Sequence, residues 1–89
     1  MFKLSDTKGN VLFESLYELS NENIAILDNT AYLLTVTSNE CLGNVLVELF
    51  INDILIKSRT ILQGKKATLS FKTGYSDKIY VRSSPTLIV

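Results

Sequence analysis

Apolar residues recur along this chain with a period of two rather than 3.6, and most of the residues that carry the alternation are β-branched or aromatic. That pattern predicts strands at residues 11–17, 31–37, 45–51, 54–62, 67–72, 78–82 and 86–89, with turn residues between them. Strands repeating about every ten residues are the mark of an all-β sandwich or barrel. The expectation is an all-β fold, an immunoglobulin-like or small jelly-roll antiparallel β-sandwich of seven or eight strands.

The clearest unit is the run Val45–Ile51, then Asn52-Asp53, then Ile54–Arg59. Asn and Asp tolerate positive φ better than other non-Gly residues, so Asn52-Asp53 predicts a two-residue type I′ hairpin. In simple register that turn pairs Ile51 with Ile54, Leu49 with Ile56 and Val47 with Ser58 on one inward face, and brings Glu48 near Lys57. A second turn at Gln63–Lys66 leads into Ala67, Leu69 and Phe71, which alternate with polar neighbours, and Ile79 and Val81 are read as inward. The expected core is Phe13, Tyr32, Leu34, Val36, Val45, Val47, Leu49, Ile51, Ile54, Ile56, Leu69, Phe71, Ile79 and Val81.

The segment 15–30 reads as a loop followed by a short strand at Ile24–Leu27. Pro85 lacks a donor, which places it at a strand edge or bend and makes Thr86–Val89 an edge strand or a docking segment. All 89 residues read as a single domain, whose one core buries roughly 60–65% of the unfolded surface. The 46% apolar and 20% charged composition is that of a folding globular chain.

Charge changes the picture. Residues 1–56 carry eight carboxylates against Lys3 and Lys8, while residues 57–89 carry seven cations against Asp77 alone. The formal net charge of zero therefore conceals a chain with −6 on one stretch and +6 on the other. Opposite charge on two parts of a chain fits electrostatic pairing within the fold or between neighbouring copies. The candidate interface residues are Lys57, Arg59, Lys72, Lys78, Tyr80 and Arg82 on the basic side and Glu14, Glu18 and Glu22 on the acidic side.

Catalytic equipment is not recognisable in these residues. The chain has no histidine, which removes the commonest general base, nucleophile activator and metal ligand together. Cys41 is then read as an inert thiol, and as the only cysteine it cannot form an intramolecular disulfide. Glu14, Glu18 and Glu22 are spaced as solvated charges, and the four glycines are scattered rather than gathered in a phosphate loop. No cofactor, metal or small-molecule substrate is expected. Cations interleaved with Tyr75 and Tyr80 resemble a single-strand nucleic-acid face, but a solvated outer sheet face shows the same alternation, and zero net charge opposes general phosphate binding.

The N-terminus lacks the charged and apolar regions of a leader, and no run approaches the ~18 apolar residues of a membrane span. The expected setting is a virion or the cytoplasm, without membrane attachment. Met1 at the front and Leu87-Ile88-Val89 at the end read as a complete small protein.

From Ala31 onward the order "AYLLTVT", "NVLVELFIND", a return strand, "LQGKKATLSF" and "KIYVRS" resembles the immunoglobulin-like sandwich modules of the adhesion-associated type. The resemblance covers residues 31–83. It departs from that family's pattern at Asp53, where Gly is usual, and at Gln63, where Pro usually precedes Gly64. It implies a fold and transfers no site, because such modules act through variable surfaces. Together these readings lead to the expectation of a non-enzymatic protein–protein interaction module, a structural or decorating component of a larger assembly such as a phage or virus particle, with itself as one candidate partner. The rival is a small inhibitory protein that offers Glu14, Glu18, Glu22 and Asp28 as a phosphate mimic to an intracellular nucleic-acid-handling enzyme.

Overall fold

The computed structural model describes residues 1–16, 18–38 and 43–86. Their elements are β1 (Phe2–Asp6), β2 (Val11–Ser15), β3 (Glu18–Ser20), β4 (Ala31–Thr37), β5 (Val45–Ile51), β6 (Ile54–Ile61), β7 (Lys66–Lys72) and β8 (Ile79–Pro85). They form two four-stranded sheets, ordered β2-β1-β4-β7 and β3-β8-β5-β6. Every described pairing is antiparallel. The all-β sandwich expected from the period-two pattern is therefore the fold, and the described residues contain no helix.

One core fills the space between the sheets. Phe2 and Leu4 from β1, Leu19 from β3, Tyr32, Leu34 and Val36 from β4, and Val45, Val47 and Leu49 from β5 are buried there. Ile61, Leu69, Phe71, Ile79 and Val81 complete it. Tyr32 and Phe71 stack across β4 and β7 with centroids 5.5 Å apart. Phe13 and Ile51, expected inside, are only partly buried against this cluster. Burial of this apolar surface is the main favourable term in folding, and its loss on truncating any central member is correspondingly large.

Several sequence expectations are corrected by the topology. Phe2–Asp6 forms β1, which lies between β2 and β4 and supplies two fully buried side chains. No strand forms at Ile24–Leu27. There the Ile24 N–H donates to the Ser20 carbonyl and the Leu27 N–H to the Tyr32 hydroxyl, while Ile24 and Ile26 pack on the core. The backbone is satisfied without a ladder. β8 runs to Pro85, whose missing donor is tolerated because the strand ends there opposite Val45. Of the expected strand Thr86–Val89, Thr86 follows β8, and residues 87–89 lie outside the described set.

The Asn52-Asp53 hairpin forms with φ of 53° and 64° at the two central residues, the double positive φ of a type I′ turn. Its register is not the simple one. Ile51 pairs with Ile54 and Phe50 with Leu55, but a bulge then leaves Ile56 without a partner and sets Leu49 opposite Lys57 and Val47 opposite Arg59. A single extra residue inverts the facing of everything beyond it. Lys57 and Arg59 thus occupy core-facing register positions, and Ile54 and Ile56, expected inside, are 64% and 48% exposed. β6 is an edge strand, so its inward side overhangs the rim of the opposing sheet.

At the other turns of the hairpin end, polar side chains are consumed in holding the backbone. Thr73 is buried; its hydroxyl donates to the Leu27 carbonyl at 2.6 Å and accepts from the Thr30 N–H at 2.9 Å. Asp77 accepts from the Gly74 N–H at 2.6 Å and the Asn52 side chain at 3.1 Å. The Asn52 amide oxygen in turn accepts from the Lys78 N–H at 2.9 Å, and that of Asn21 accepts from the Ile79 N–H at 2.6 Å. In the β1–β2 turn, hydrogen bonds from the Asn10 side chain and then the Asn10 backbone hold the Asp6 carboxyl below its usual value.

Candidate interaction surface

The sheet order decides where the charges lie. Short connections put β2 and β3 side by side, joined by two residues, and β6 beside β7, joined by four. All four are edge strands. The sandwich therefore has one lateral side made of β2 and β3 and an opposite side made of β6 and β7.

These two sides differ in sign. Residues 11–28, which build the first side and its following loop, contain Glu14, Glu18, Glu22 and Asp28 and no cation. Residues 54–72, which build the second, contain Lys57, Arg59, Lys65, Lys66 and Lys72 and no carboxylate. Each side also exposes large apolar side chains: Val11, Leu12 and Leu16 on the acidic side, Ile54, Leu55, Ile56 and Leu62 on the basic side. Exposed apolar groups on a free strand edge mark a place for another chain to dock.

The expected site residues are distributed as follows. Lys57, Arg59 and Lys72 gather at the basic side, where the Lys57 ammonium donates to the Ser70 carbonyl and bridges β6 to β7. Glu14 and Glu18 lie on the acidic edge strands and Glu22 in the loop beyond β3. Glu14 pairs weakly with Lys3 at 3.9 Å, both side chains being solvated. Glu18 accepts a hydrogen bond from the Tyr80 hydroxyl at 3.3 Å.

Lys78, Tyr80 and Arg82 do not join the basic side. Tyr80 and Arg82 project from β8, a central strand, onto the outer face of its sheet. The guanidinium of Arg82 binds Glu48 at 3.1 Å and stacks over Phe50 at 5.1 Å, and Phe50 contacts Tyr80 at 6.1 Å between centroids. Glu48 therefore pairs with Arg82, not with Lys57 as the simple hairpin register would have it. Lys78 pairs with Asp53 at 3.4 Å. Part of the charge reversal along the sequence is thus cancelled inside the fold, and the uncancelled remainder is what the lateral sides display.

An open groove of about 420 Å³ runs under the basic side between the sheets, lined by Tyr32, Ile51, Ile56, Lys57, Phe71 and Lys72 among others. Its rim is the same Lys57 that closes the seam. Asp28, one of the four acids a phosphate mimic would present, accepts from the Ser76 N–H at 2.8 Å and is part of the loop architecture. Cys41 lies outside the described residues. Among the described residues no group of three or more carboxylates or thiols is placed to hold a metal ion, and no helix is long and apolar enough to cross a membrane.

The lateral segregation was only half visible in the sequence. The runs of like sign could be read directly, but which strands end up as edges depends on pairing between residues far apart. Comparison with known proteins finds no matching family model, no matching curated protein and no matching solved structure.

Proposed function

We propose that this protein is a non-enzymatic protein–protein interaction module, a structural component of a larger assembly of the kind from which phage or virus particles are built. The observation that carries the reading is the opposition of an acidic and a basic lateral side, each a pair of free strand edges with exposed apolar side chains. Complementary potentials steer and orient association, and apolar contacts inside a charged rim hold it. The carboxylates Asp28 and Asp77, engaged with backbone N–H groups in turns, serve the scaffold.

Mass in solution, measured by light scattering at low and at high salt, tests the reading. Contacts between solvated charges weaken as the screening length falls from about 30 Å at 0.01 M to about 3 Å at 1 M ionic strength. The expected result is a multiple of the 10.0 kDa chain mass at low salt and the single-chain mass at high salt. A single-chain mass under both conditions would contradict assembly through these charges and turn the acidic side toward a basic partner of another kind.

A further inference from the structure

We propose that the partner of each lateral side is the opposite lateral side of a second copy of this chain, so that copies join head to tail and continue both sheets. The inference rests on the assembly reading above and specifies its geometry.

Charge complementarity is the first support. The side carrying Arg59, Lys66 and Lys72 holds no carboxylate, and the side carrying Glu14, Glu18 and Glu22 holds no cation on its strands. A like-to-like contact would bring the same charges together on either side, whereas the unlike contact neutralises both.

Strand direction is the second. Both sheets have four strands, and each neighbour is antiparallel to the last, so the two edges of a sheet run in opposite directions. A copy placed beside the first with little rotation therefore sets its β2 antiparallel to β7 and its β3 antiparallel to β6. Both sheets extend at once. In the existing register Glu14 lies level with Lys3, Thr35 and Thr68. The incoming Glu14 then meets Thr68 on the outer face of β7, two residues from Lys66. In the other sheet Glu18 lies level with Arg82, Glu48 and Ser58, the outward-facing residue between Lys57 and Arg59 in the chain.

β6 also carries two devices that blunt an edge against indiscriminate pairing, the bulge at Ile56 and the lysine Lys57 at a core-facing position. They select for a partner that brings carboxylates. Because the contact joins two different patches it is heterologous, and repetition with sheet twist gives a helical filament or, if the rotation closes, a ring.

The test is covalent trapping in a Cys41→Ser background, with Glu14→Cys and Thr68→Cys placed in one chain and, separately, in two chains. A short thiol-reactive cross-linker is applied at low and high salt, and products are sized under denaturing conditions. The double variant is expected to give a ladder of dimers, trimers and higher multimers, at least tenfold weaker at high salt. Each single variant alone is expected to stay at monomer mass, and the mixture of the two singles to stop at dimers. Self-linked dimers from either single variant would overturn the head-to-tail order. The absence of a ladder while the double-cysteine chain itself still shows salt-dependent mass would also overturn it, leaving the assembly reading standing. A Cys41→Ser chain that is monomeric at low salt overturns both.

Discussion

Phe2→Ala is expected to cost roughly 3–5 kcal/mol, the usual range for emptying a buried phenylalanine site. Phe2 is 0% exposed. It pairs with Ser15 on one side and Val36 on the other, so the cavity would open in the strand that joins β2 to the rest of its sheet. Domains of this size have only about 5–15 kcal/mol in total, so the substitution removes from about a fifth to all of the stability. At roughly 4–8 °C per kcal/mol for 60–100 residues, the melting temperature should fall by about 12 °C or more. Urea unfolding should show a lower midpoint at unchanged slope. A loss below about 1 kcal/mol would contradict the placement of β1 in the core.

Thr73→Val should come next, at roughly 2–4 kcal/mol, although it preserves side-chain shape and adds no charge. The hydroxyl it removes serves the Leu27 carbonyl and the Thr30 N–H, which tie the loop before β4 to the end of β7. Each buried polar group left without its partner costs roughly 1–3 kcal/mol. Thr73→Ser, which keeps the hydroxyl and loses a methyl, should recover most of the difference. If Val and Ser destabilise equally in urea titrations, packing rather than hydrogen bonding holds this loop, and the account of that end of the sandwich is wrong.

How much of this was legible before the structure depends on which residues are asked. Tyr32, Leu34 and Val36, or Val45, Val47 and Leu49, announced their burial because period two on an inner strand leaves one face nowhere else to go. Phe2 and Leu4 carried the same alternation, but a short segment at a chain start is a weak pattern, and only pairing with Val36 and Leu34 makes it a central strand. Leu19 and Ile61 were missed for a similar reason, each being a lone apolar residue contributed by an edge strand. Ile54 keeps the simple pairing with Ile51 and is exposed because β6 is an edge strand that overhangs the rim, and Ile56 is the residue left over at the bulge; hydrophobicity reports neither the edge position nor the bulge.

The candidate surface divides in the same way. Glu14, Glu18 and Glu22, and Lys57, Arg59 and Lys72, could be singled out as runs of one sign. That Lys78 and Arg82 would be neutralised by Asp53 and Glu48 follows from pairings across 25 and 34 residues, beyond the reach of local pattern. The polar lock of Asn21, Asn52, Thr73 and Asp77 carried one signal, the concentration of Asn, Asp, Ser and Thr near the predicted turns. It did not say which would bond to which.

Amide hydrogen exchange, followed strand by strand at low and at high salt, tests the central claim most directly, since that claim is that the lateral edges are the interaction surface. Amides on free strand edges exchange readily, and pairing or burial slows them. The account predicts added protection at low salt in β2, β3, β6 and β7, with β1, β4, β5 and β8 unchanged. Protection gained instead on the outer face around Phe50, Tyr80 and Arg82, or no salt-dependent protection at protein concentrations where the mass rises, would contradict it.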